Sequence, residues 1–230
     1  MREIAASVFT GLVSGLLLSI PVGPVNLTIM NEAARWGFRR GFFIGLGAAG
    51  MEVLYCSIAF GGLSSFVGQP LVESFMEVFS FLFLVFLGLK FLLTRSVTTA
   101  TQVSAGGRME TRLEARLEER FHPHSAFMIG WVRTLANPGV LLFWVILAGN
   151  FMARGWVAPH GWGKGACVAG VAVATLAWFT GLSWAASHGH GRLSDKTLLR
   201  LERASGVVLL LLATVHGGHI AWQLTIHRHP

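Results

Sequence analysis

The amino-acid sequence predicts an all-α integral membrane protein, built as a single transmembrane domain over residues 1–230. Three observations carry this expectation. The chain is 53% hydrophobic and 13% charged, with a mean hydropathy of +0.60, and that charged fraction is about half that of an ordinary soluble domain. Its apolar residues gather into about six runs of roughly 20, the length needed to cross a bilayer as helix. Its basic residues collect in alternate connections between those runs, as they do when one side of a membrane is favoured.

The first run extends from about Ala5 to Met30. It opens like a signal peptide, yet no small-residue cleavage site follows and the run is long, so it reads as the first membrane helix. Pro21-Val22-Gly23-Pro24-Val25-Asn26 interrupts it. Pro21 cannot donate to the carbonyl of Leu17, nor Pro24 to that of Ile20, and in hydrocarbon such acceptors must find protein groups or water in a cavity. The second run spans about Gly41–Leu63 and the third about Leu71–Leu93, with Glu73 and Glu77 in its first turns. A polar stretch over residues 94–124 follows. The fourth run covers about Ser125–Phe151 and is interrupted by Asn137-Pro138-Gly139; the fifth covers about Gly165–Ser187 and the sixth about Ala204–Leu224.

One interruption alone would pass as a proline kink accommodated by neighbouring helices. Two, in corresponding helices, point further. Runs 1 and 4 each open a three-helix half, about residues 1–93 and 125–230, and an odd number of crossings makes the halves enter from opposite sides. This is a 3+3 inverted repeat with interrupted helices 1 and 4, an arrangement that sets a substrate site where the broken helices meet.

Charge gives the orientation. Arg35, Arg39 and Arg40 lie in the first connection; Arg95, Arg108, Arg112, Arg116 and Arg120 in the third; Arg192, Lys196, Arg200 and Arg203 in the fifth. The other side holds Arg2, Arg154, Lys164 and Arg228, an excess of about three-fold that places the odd-numbered connections in the cytoplasm and both termini outside. The net charge of +7 is thereby a matter of topology and lipid, and a nucleic-acid partner is excluded. In the third connection, arginine, apolar and glutamate residues each recur every four positions between Arg108 and Phe121. Such a helix suits the anionic inner leaflet; a solvated helical linker would show the same pattern.

Glu52 lies about eleven residues into the second helix, roughly 16 Å deep at 1.5 Å per residue. A carboxylate at that depth is costly unless protonated, paired or facing a cavity, which marks it for proton coupling or for holding a substrate amino group. Arg133, five residues before Pro138, has three roles open to it: snorkelling to the surface, pairing with Glu52, or binding a carboxylate. Asn26 and Asn137 beside the breaks offer both donors and acceptors, and Asn26 could equally cap the resumed helix. With Pro21, Gly23, Pro24 and Pro138 these form the candidate substrate site. His216 and His219 share one face of the sixth helix at a three-residue spacing, a weak candidate for a relay or metal site beside an ordinary structural role. Glycines 41, 45, 47 and 50 form a strip for close helix approach. Cys56 and Cys167, the two cysteines, fall inside apolar runs and read as packing residues.

Pro21-Val22-Gly23-Pro24-Val25-Asn26, Arg35-Trp36-Gly37-Phe38-Arg39-Arg40-Gly41, Gly45-Leu46-Gly47-Ala48-Ala49-Gly50 with an acidic residue at Glu52, and Asn137-Pro138 together resemble the lysine exporter (LysE/RhtB) family of amino-acid efflux translocators. The resemblance implies a six-helix, multi-pass exporter in the bacterial cytoplasmic membrane, driven by protons, dimeric, and without a cofactor. It departs at Glu52, where the family commonly has aspartate, and at Gly139, where a basic residue is common; Arg133 is not part of the family pattern. The expected function is export of an amino acid or related small zwitterion by proton antiport, and no enzyme activity. Two alternatives stand beside it. Divalent-metal export would draw on Glu52, His216 and His219 as oxygen and nitrogen ligands. A thiol–disulfide electron carrier would need cysteines beside the interrupting prolines, and Cys56 and Cys167 are far from them in sequence.

Overall fold

The computed structural model describes residues 2–21, 23–63, 70–93, 125–158, 160–188 and 195–226. Among them are eight helices: α1 Arg2–Ser19, α2 Pro24–Trp36, α3 Phe38–Leu63, α4 Pro70–Leu92, α5 Ala126–Leu135, α6 Pro138–Ala153, α7 Gly161–His188 and α8 Asp195–Ile226. The stretch over 94–124, with its patterned segment Arg108–Phe121, lies outside the described residues, as do the side chains of Glu73, Glu77, His216 and His219.

The protein is all-helical. Three of its described helices, α1, α3 and α7, are long and apolar enough to cross a membrane, and α5 with α6 makes a fourth such unit, bent by 66° at the break. The third and sixth runs also form helices, α4 and α8, in which the described apolar stretches are Phe81–Leu92 and Arg203–Val215. The first run is likewise redistributed: α1 begins at Arg2, stops at Ser19, and the chain resumes as α2 through Trp36. The reason lies in α2 itself, whose second half carries Glu32 and Arg35. Glu32 is ion-paired with Arg40 at the start of α3, and the Arg40 guanidinium lies 5.8 Å over the Trp36 ring. Gly37, at φ 85°, takes the left-handed turn between the two helices.

α3 and α7 form the centre. α3 packs on α2, α5, α6 and α7; α7 packs on α1, α2 and α3. Glycines set the closest crossings. A Cβ at Gly47 would come within 2.0 Å of the Phe127 carbonyl oxygen, and one at Gly130 within 1.8 Å of that of Ile44, so α3 and α5 touch backbone to backbone. At the α1–α7 crossing, Gly11 stands in the same relation to Cys167 and Gly170 to Val8, at 2.0 and 2.3 Å. In a membrane, where lipid is as apolar as leucine, such close packing is a main source of helix association. α4 and α8 pack against each other and meet the rest chiefly through α4 on α6. Outward-facing Phe9, Ile58, Leu82, Phe86 and Val173 are more than half exposed, as expected of surfaces bathed by acyl chains rather than water.

Candidate functional site

Both interruptions are organised by side chains. At the first, the carbonyls left without helical partners include Ser19 and Pro21, because α1 ends at Ser19. The Asn26 amide donates to both, at 2.8 and 2.7 Å, and its Oδ1 accepts from the Trp178 indole of α7 at 3.3 Å. Asn26 does not cap α2; Gly23 holds that position and supplies no side chain, with Pro24 in the first turn. Pro24 has no N–H to leave unpaired, which is why proline suits a helix start. At the second interruption Asn137 does cap, accepting from Gly139 N–H at 3.1 Å, and the Tyr55 hydroxyl of α3 donates to the Leu135 carbonyl at 3.1 Å.

Glu52 is one helical turn before Tyr55 and only 5% exposed, and its Oε2 accepts no hydrogen bond among the described residues. The same holds for Oγ1 of Thr134, 2% exposed, at the end of α5. Burying such groups without partners is expensive, and both border a cavity of about 80 Å³. Pro21, Gly23, Pro24, Val25 and Asn26 from the first break, Asn137 and Val140 from the second, Glu52 from α3 and Phe179 from α7 complete most of its wall. The cavity thus brings together six of the eight candidate substrate-site residues read from the sequence. Arg133 and Pro138 are not among the lining: Pro138 is exposed and Arg133 half-buried, and no ion pair joins Arg133 to Glu52 among the described residues.

Thr134, Tyr55, Trp178 and Phe179 were not singled out by the sequence. Tyr55 carried a usable signal, being the chain's one tyrosine three residues beyond Glu52 on the same helix face. Trp178 and Phe179 carried none, since their place beside the first break depends on how α7 crosses α2. Cys56 and Cys167 are fully buried in one apolar cluster with Met51, Trp144 and Val171, and neither lines the cavity. Among the described residues no three His, Cys, Asp or Glu side chains come together as a metal site would require.

The relation to known proteins agrees with this architecture. The family model described as "LysE type translocator" matches residues 16–216. The "Putative amino acid efflux protein YcgF" of Bacillus subtilis (strain 168) is 30% identical over 207 residues, covering 90% of this chain and 92% of that protein. No solved structure matches the chain. With the match running through both breaks, Glu52, all of α2 to α7 and most of α8, the chain belongs to the LysE type translocator family and is a multi-pass membrane transporter, not an enzyme.

Proposed function

We propose that the protein exports an amino acid or a related small zwitterion from the cytoplasm in exchange for protons. The observation that carries this reading is the single cavity walled by both helix breaks and by the buried carboxylate of Glu52. Export is favoured by the relative from Bacillus subtilis, which is described as an amino acid efflux protein.

The chemistry follows from the two kinds of wall. The first N–H groups of α2 and α6 face outward from helix starts and carry the positive end of the helix dipole, a fitting partner for the carboxylate of the substrate. Glu52 offers the opposite charge to its ammonium group. Leaving a buried carboxylate charged and unpaired costs several kcal/mol, so Glu52 carries either the ammonium group or a proton, and alternation between the two couples the flows. Thr134 adds a hydroxyl that donates or accepts. Of the residues read from the sequence, Pro21, Gly23, Pro24, Asn26, Asn137 and Pro138 shape the breaks, and Arg133 stands behind Thr134 rather than at the cavity.

The packing pattern supports the inverted repeat. α5 crosses α3 through paired glycines as α1 crosses α7, and α6 lies on α3 as α2 lies on α7. In this reading α1–α2 and α5–α6 are broken helices 1 and 4, α3 and α7 are helices 2 and 5, and α4 and α8 complete six spans in the bacterial cytoplasmic membrane.

The test is Glu52→Gln in proteoliposomes loaded with an amino-acid mixture and a pH-sensitive dye. The variant keeps the side-chain shape, so it is expected to purify as the parent does while losing substrate-driven proton movement by at least ten-fold. Equal proton movement in variant and parent would remove Glu52 from the coupling.

A further inference from the structure

The breaks have a second face. Leu18, Pro21, Gly23, Asn137 and Val140, which border the Glu52 cavity, also border another cavity of about 110 Å³. Its outer wall is Phe83, Leu87 and Phe91 of α4, Phe143 of α6 and Leu209 of α8. Leu17, Phe143 and Leu209 in turn separate it from a larger cavity of about 350 Å³ that reaches Arg154 and Trp156 beyond α6, and these three residues line both spaces. Phe143 is 4% exposed. Its ring lies 6.0 Å from that of Phe83 and edge-on to Trp144 at 6.2 Å, so neighbours on two sides fix its position.

We propose that this second cavity receives the side chain of the transported amino acid and that Phe143, at its floor, determines specificity, so that preferred substrates carry apolar or aromatic side chains. The inference rests on the reading of the Glu52 cavity as the seat of the carboxylate and ammonium groups, which every amino acid shares. What distinguishes one amino acid from another must then extend past the breaks, and the space there is walled mainly by rings and methyl groups. A hydroxyl, amide or basic side chain entering it would exchange water for a lining with few partners. A basic side chain finds no counter-charge, since Lys90 is the lining's one charged residue, with its ammonium 5.8 Å above the Phe91 ring. Phe143 ends the space, and shortening it would open the floor into the larger cavity.

The experiment is counterflow of labelled leucine in proteoliposomes, challenged by unlabelled leucine, methionine, phenylalanine, serine, glutamine and lysine at equal concentrations. The parent is expected to be inhibited by the first three at least ten-fold more strongly than by the last three, within the range a hydrophobic pocket discriminates. Phe143→Ala is expected to reduce that ratio about ten-fold, and Phe143→Leu to keep most of it. If Phe143→Ala does not purify as a monodisperse protein, Leu209→Ala, which opens the same floor, replaces it and is expected to reduce the ratio likewise. Transport with serine, glutamine or lysine competing as well as leucine would overturn this inference alone. An unchanged ratio in Phe143→Ala, or in Leu209→Ala where that replaces it, would remove this floor from specificity. No counterflow of any amino acid would instead refute the export reading on which it rests.

Discussion

Asn26 illustrates how one side chain makes a helix break tolerable in an apolar setting. Its two N–H groups hold the carbonyls of Ser19 and Pro21, and its oxygen takes the Trp178 indole, so most of its capacity is spent on the break itself. Truncation to alanine would leave three buried groups without partners, each costing about 1–3 kcal/mol. Asn26→Ala is therefore expected to lower the unfolding temperature in detergent by several degrees, and thermal unfolding followed by tryptophan fluorescence would measure it. Asn26→Asp keeps the acceptor but loses both donors and is expected to fall almost as far; an aspartate as stable as the parent would show that the two carbonyls do not depend on residue 26. The importance of this position was legible in the sequence, but its role was not. The spacing placed an amide beside two prolines without showing that the amide folds back onto the chain it interrupts.

The elements follow the same division between pattern and geometry. Proline, glycine and asparagine announced both breaks, because those residues cannot continue a helix or can cap a new one. The glycine strip at 41, 45, 47 and 50 announced a close crossing without naming its partners: Gly45 meets Phe179 of α7, while Gly47 and Gly50 meet Phe127 and Trp131 of α5. The ends of α1 and α2 were missed because apolar character continues across the break whereas backbone hydrogen bonding does not. A direct check is Gly47→Val, which would drive a branched side chain into the α5 backbone; it is expected to abolish monodisperse purification. Gly181→Val, on an exposed face of α7 where an added Cβ meets nothing within 4 Å among the described residues, is expected to purify as the parent does, and fluorescence-detected gel filtration would compare the two.

For the whole molecule, the basic residues of alternate connections support the proposed orientation, with the α1 end and Lys164 outside and Lys196 inside. Single cysteines replacing Lys164 and Lys196, in a background where buried Cys56 and Cys167 are serine, give the test. An impermeant maleimide added to intact cells is expected to label position 164 and not 196, with the pattern reversed in inside-out vesicles; the opposite result would invert the topology. The two breaks also differ in what they lean on. The first is tied largely by its own Asn26, whereas the Leu135 carbonyl at the second is held by Tyr55, one turn from Glu52 on α3. Each break thus has an asparagine of its own and one outside tie, the first to α7 through Trp178 and the second to α3 through Tyr55. In the proposed cycle, in which Glu52 exchanges a proton for substrate, a rotation of α3 would therefore pull on the second break through Tyr55.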